Sequence, residues 1–97
     1  MRDVMNLLTE TITSDEYGNQ IVSTEEKEVY VQVESVSASE FFNAGESGHR
    51  PAFRFDVFQG DYDGQQRCEY DGRIYYIYRT YLRGCVMELY AEERVGV

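Results

Sequence analysis

The sequence predicts a mainly β protein: a small antiparallel barrel or sandwich of six to seven strands, with one short helix. Three observations carry that prediction. Apolar and polar residues alternate with a period of two in several segments, most cleanly where Val29, Val31 and Val33 oppose Tyr30, Gln32 and Glu34. Turn residues punctuate the chain at short intervals, at residues 15–19, 60–64, 71–72 and 84. One stretch alone, residues 37–45, reads as helix. Strands in succession with little helix bury their apolar faces by stacking two sheets or by closing one. A chain of 97 residues has the size of a single domain, here taken as residues 1–97.

The elements follow in order. Residues 5–13 and 21–24 flank Asp15-Glu16-Tyr17-Gly18-Asn19, which has the chemistry of a loose hairpin turn. The alternating valine strand comes next. Ser37-Ala38-Ser39-Glu40 then matches a capping box, in which serine and glutamate each satisfy an amide of the first turn. It introduces a helix of about two turns, with Phe41 and Ala44 on a common side and Gly45 placed to stop it. Glu46-Ser47-Gly48-His49-Arg50-Pro51 reads as a flexible polar loop.

Phe53, Phe55 and Val57 form one face of the next strand, and residues 60–64 form a hairpin turn. Residues 66–70 make a short strand, and Asp71-Gly72 supplies two positions that tolerate positive φ. The return strand, residues 73–81, shows Ile74, Tyr76 and Tyr78 on one side and Arg73, Tyr75, Ile77 and Arg79 on the other. Neither side is fully polar, so something covers the second face. Gly84 ends that run, and Cys85, Met87 and Leu89 alternate with Val86, Glu88 and Tyr90 in a last strand. Arg94-Val95-Gly96-Val97 is expected to fray.

Charge and residue chemistry narrow the function. Nine Lys and Arg against 18 Asp and Glu give a net charge of −9, too few cations for tight binding to a phosphate backbone. Apolar runs fall far short of the roughly 18 residues a membrane helix needs, and Met1-Arg2-Asp3-Val4 lacks signal-peptide anatomy. A soluble protein made in the cytoplasm is expected, with no membrane partner. Cys68 and Cys85 are not closely paired and His49 has no thiol near it, so two free thiols and no metal are expected. Asp61-x-Asp63-Gly64 fails as a calcium loop, because Gln59 and Tyr70 fall where carboxylates are required. No nucleophile-base pattern, phosphate-cradling loop or dinucleotide fingerprint is present. The expectation is no enzyme, with no catalytic, cofactor-binding or metal residues. Nine tyrosines without tryptophan fit ordinary packing on strand faces, which accounts for most of them, with several left as surface for a partner chain.

The order of elements resembles the head-closure, or head–tail joining, proteins of long-tailed bacteriophages and prophages. The resemblance spans about residues 4–96. Its markers are Ser39-Glu40-Phe41-Phe42-Asn43-Ala44 and Tyr70-Asp71-Gly72-Arg73-Ile74-Tyr75-Tyr76-Ile77-Tyr78-Arg79-Thr80-Tyr81. The start differs, since family members often carry a more basic N-terminus and this chain has only Arg2 there. The resemblance implies a virion connector: a small β-barrel with a long inserted loop that assembles with itself as a twelvefold ring below the portal and its adaptor ring. That ring closes the DNA channel after packaging and docks the tail proteins below. DNA passes through without tight sequence-specific binding, which an acidic lumen favours.

By position, the channel-closing segment would be Glu40, Phe41, Phe42, Asn43, Ala44, Gly45, Glu46, Ser47, Gly48, His49, Arg50 and Pro51. A ring also needs strand edges or aromatic patches to pair, and Tyr75, Tyr76, Tyr78, Arg79 and Tyr81 are the candidates for that interface. Two alternatives remain at this stage: a tail-terminator or other virion ring protein, and a small β-barrel adaptor module for protein ligands.

Overall fold

A computed structural model describes residues 3–93 of the chain. Six antiparallel strands form one sheet: β1 (Asp3–Ser14), β2 (Gln20–Glu34), β3 (Pro51–Phe58), β4 (Arg67–Tyr70), β5 (Arg73–Arg83) and β6 (Val86–Glu92). A helix, α1 (Ala38–Glu46), lies between β2 and β3, and a 3-10 turn (Gln59–Asp61) follows β3. The sheet runs β1-β2-β3-β6-β5-β4, and β4 pairs back onto β1 to close the barrel. Met5, Leu7, Val29, Val31, Phe55, Val57, Leu89 and Ala91 fill its interior, so the inward positions are those the period-two pattern marks as apolar. The expected fold class holds, with six strands.

The strand count falls at the low end because residues 21–24 and the valine strand are one continuous strand, β2. The charged run Glu25-Glu26-Lys27-Glu28, which reads as a break, is carried within it. A strand tolerates charge on both faces where both faces meet water, and here β1 and β2 extend past the barrel as a two-stranded arm. β1 pairs with β4 only at Asn6, Leu7 and Leu8, and β2 pairs with β3 only from Gln32 to Glu34. Beyond those contacts the two strands pair with each other, up to Ser14 opposite Gln20. The protein is accordingly elongated, 51 Å along its longest axis against 29 and 24 Å.

Local chemistry accounts for the turns. Asp15 closes the arm: its Oδ1 accepts from the amides of Tyr17 at 2.9 Å and Asn19 at 2.8 Å, and Gly18 takes φ +80°. These amide bonds hold the Asp15 carboxyl below its usual range. Asp71 and Gly72 both adopt positive φ, 53° and 79°, the tight turn expected between β4 and β5.

Residues 60–64 depart from expectation. They do not close a hairpin, because β3 and β4 are not neighbours; the segment crosses from one side of the barrel to the other. Tyr62 Oη donates to the Gln65 carbonyl at 2.8 Å and pins that crossing. The expected frayed end, Arg94-Val95-Gly96-Val97, and the cationic Arg2 lie outside the described residues.

Candidate functional site: the helix and its seat on the barrel

Ser37 caps α1, its Oγ accepting from the Glu40 amide at 3.2 Å, which is one half of the capping box. The Glu40 carboxylate does not turn back to the cap. It reaches β5, where Oε1 accepts from Tyr78 Oη and Arg79 Nε, each at 3.1 Å, and Oε2 accepts from Arg79 Nη2 at 2.8 Å. A planar guanidinium facing both oxygens of a carboxylate fixes orientation as well as distance.

The helix runs past Gly45 and ends two residues later than the sequence suggests. Gly48, at φ +86°, is the stop: its amide bonds the Gly45 carbonyl at 3.1 Å, and the His49 amide bonds the Ala44 carbonyl at 2.9 Å. That pair of bonds is a Schellman cap. It delivers His49 onto the barrel, where the imidazole stacks on Tyr78 with centroids 4.6 Å apart and planes 15° apart. His49 Nδ1 lies 3.1 Å from both oxygens of the buried Glu92 carboxylate, and the Arg50 amide donates to Glu92 Oε2 at 3.1 Å. His49 and Arg50 are therefore held at the end of β6 by hydrogen bonds and stacking.

Apolar contact contributes less. Ala44 is the buried residue of α1, while Phe41 and Phe42 are exposed and meet each other edge to face at 6.1 Å. Phe41 does not share the buried side with Ala44 as expected. A helix anchored by one alanine, one carboxylate and one imidazole has little hydrophobic burial to hold it.

The seat depends on a bulge. Ile77 pairs with Ala91 and Arg79 with Tyr90, so Tyr78 is the extra residue on β5. The alternation expected for residues 73–79 fails there, because the bulge sends Tyr78 and Arg79 to the same outer side. Arg79 lies 4.0 Å over the Tyr90 ring. Beside it, Tyr90 Oη donates to Glu88 Oε1 at 2.7 Å, and Arg83 Nε donates to Oε2 at 2.8 Å. Those two bonds hold the Glu88 carboxyl below its usual range, in the order arginine then tyrosine. Burial, then the nearby Glu40 charge, pushes the Tyr78 phenol up.

The candidate interface residues separate. Tyr75 is a correction: it points into the core against Phe53 and Phe55 and is only 4% exposed, so its side chain is not offered to a neighbour. Tyr76 is half-buried, Tyr78 and Arg79 are bonded to the helix, and Tyr81 is exposed. The link from His49 through Tyr78 to Glu40, and from His49 to Glu92, has no spacing signature in the sequence. Only the bulge and the Schellman cap bring those residues together. Cys68 is fully buried and Cys85 exposed, both free, with burial raising the Cys68 thiol to about 12.

The closed barrel thus grips a short helix on its outer face and leaves Phe41, Phe42 and the β1–β2 arm in water. The chain matches the family described as phage head completion protein over residues 1–93. It belongs to that family and is a head-related structural protein of the phage particle. Among curated proteins nothing matches it.

Proposed function

We propose that the chain is a connector at the head–tail junction, forming a ring below the portal and adaptor that closes the DNA channel after packaging and then docks the tail. The observation that carries this reading is the seating of α1. Polar contacts to β5 and β6 hold it, Ala44 is its buried residue, and Phe41 and Phe42 face solvent. An element that must close a channel needs a stable resting place, a low barrier to leaving it, and apolar side chains that gain a partner on moving. Residues 40–51 fit these needs. The helix buries little apolar surface where it sits, and phenylalanine burial is strongly favourable. The Glu40 and Glu92 carboxylates, 12% and 7% exposed, regain hydration when it leaves.

In this reading Tyr76 and Tyr81 face the neighbouring copy, and Tyr78 and Arg79 bridge helix and ring. The net charge of −9 repels DNA from the lumen, which suits a channel that DNA crosses twice without sticking. Assembly proceeds in the host cytoplasm, with the portal adaptor above and tail proteins below.

Retention of packaged DNA tests the proposal. Tail-free heads carrying Phe41→Ser together with Phe42→Ser should contain the protein at normal copy number yet lose their genome. Heads that keep DNA as well as the parent would remove the closing role and leave only joining.

A further inference from the structure

The two polar anchors of α1 have opposite sense. At its N-terminal end the helix brings a carboxylate, Glu40, to a barrel cation, Arg79, with Oε2 2.8 Å from Nη2. Past its C-terminal end it brings donors, His49 Nδ1 and the Arg50 amide, to a barrel carboxylate, Glu92, each at 3.1 Å. Nδ1 donates there, because carboxylate oxygens only accept. Leaving the seat therefore takes a negative charge from Arg79 and two donors from Glu92, on adjacent strands.

Register decides where those two groups can turn. Arg79 pairs with Tyr90 across the strands, and its guanidinium lies 4.0 Å over the Tyr90 ring. Glu88 and Glu92 share the outer face of β6 with Tyr90, one on each side of it. Both stand diagonal to Arg79, within reach of a long side chain. Glu88 is served by Arg83 Nε at 2.8 Å and Tyr90 Oη at 2.7 Å, and neither donor belongs to α1. The bonds that Glu92 takes from His49 and Arg50, by contrast, depart with the helix. Tyr78 lies beside both groups, and its phenol feels the charges of Glu40, Arg79 and Glu92. Its hydroxyl donates to Glu40 and its ring stacks on His49, so release of α1 frees it from both contacts as well.

We propose that α1 is seated and released by an exchange of partners between Arg79 and Glu92. In the seated state Arg79 holds Glu40, and Glu92 holds His49 and the Arg50 amide. In the released state Arg79 turns across Tyr90 to Glu92. This rests on the reading that α1 leaves its seat, and it names the device that lets it leave. Stripping hydrogen bonds from a largely buried charge is costly, and the exchange replaces those that the helix takes away. Water reaches the newly opened side of Glu92 while Arg79 takes the other. One set of charges with two complete arrangements gives a seated state and an empty one, without a continuum between them.

The full chain carrying Glu40→Gln together with His49→Gln tests the exchange, since it removes the helix's side chains from both anchors and keeps Arg79 and Glu92. Amide exchange of residues 41–46 should accelerate, which reports that α1 has left. Solvent exchange of the Arg79 Nε–H in arginine side-chain NMR spectra, assigned with Arg79→Lys, then reports the new partner. Adding Glu92→Gln should speed that exchange about three- to fivefold, the worth of a partly exposed pair. Adding Glu88→Gln in its place should leave the rate unchanged. A response to Glu88→Gln as large as that to Glu92→Gln, or a response to neither, overturns the proposal. So does an α1 that keeps its parent protection in the Glu40, His49 variant, because the seat then does not depend on the contacts said to be exchanged. DNA retention is read separately: an observed exchange beside heads that retain DNA in the Phe41, Phe42 variant keeps the device and rejects the closing role.

Discussion

The Glu40 carboxylate, in the first turn of α1, meets the Arg79 guanidinium of β5 face to face, with Oε2 2.8 Å from Nη2 and Oε1 3.1 Å from Nε. This contact joins the helix that the sequence marks as a closing element to the strand it marks as an interface. The arginine side chain is 45% exposed and the Glu40 side chain 12%, so solvent screens the pair only in part. It orients the helix more than it stabilises the fold.

Glu40→Gln should therefore lower global stability by about 1–2 kcal/mol, between the worth of an exposed pair and that of hydrogen bonds to a largely buried carboxylate. Amide exchange in α1 should nonetheless accelerate while β5 and β6 stay protected. Local opening needs this contact, the His49 stack and the bonds to Glu92 to break, and the substitution weakens the first of them. Unchanged protection in α1 would show that Ala44 and the caps hold the helix without the ion pair.

Acid should weaken the outer face of β5 and β6. The Glu88 carboxyl is depressed in the folded protein, first by Arg83 and then by Tyr90. Its contribution is present above the ordinary carboxylate value of 4.5 and is lost as pH falls through the lower folded-state value. Urea denaturation at graded pH should show this loss, and Glu88→Gln should flatten that part of the profile. An equal acid slope in the variant would assign the loss to other carboxylates.

The two thiols should behave as unlike groups. Cys85 is exposed and Cys68 fully buried, with its thiol raised to about 12. A thiol reagent at neutral pH should label Cys85 promptly and Cys68 only at the rate of global opening. Since the Cys68 value is raised above the reference value of 9.0, its contribution to stability is intact below that pH. It declines as pH climbs toward the folded-state value of about 12. Rapid double labelling of native protein would show that the barrel opens locally around β4.

Much of this architecture is legible in the sequence, and the exceptions have specific causes. Period two finds Val29, Val31, Phe55, Val57 and Leu89 because burial on one face of a strand is a local pattern. Asp71-Gly72 is legible because its turn depends on backbone conformation at two adjacent residues. The bulge at Tyr78 is not, since one extra residue reverses the facing of all that follows without leaving a compositional mark. Tyr75 reads as an interface candidate because it alternates with arginines, but its ring joins Phe53 and Phe55 in the barrel interior. Glu40 matches a capping glutamate in sequence, yet a distant arginine competes for its carboxylate and wins. The arm is hidden for a similar reason, because the charged run Glu25-Glu26-Lys27-Glu28 interrupts the period-two pattern between residues 21–24 and Val29 although the strand runs through it.

The last prediction separates the barrel from what it displays. Phe55 is fully buried against Tyr70 and Tyr75, whereas Phe42 is 70% exposed on α1. Phe55→Ala removes a ring from a closed core and should cost about 3–5 kcal/mol, enough to abolish folding in a marginally stable domain. Phe42→Ser lies at the surface and should change stability by about 0.5 kcal/mol or less. Thermal melts of the two variants measure this difference directly. In particles the Phe55 variant should be missing from the junction, while the Phe42 variant should be incorporated and fail only in what its ring contacts. Should Phe42→Ser destabilise the isolated chain as much as a core lesion does, the helix is part of the scaffold, and the closing role must lie elsewhere.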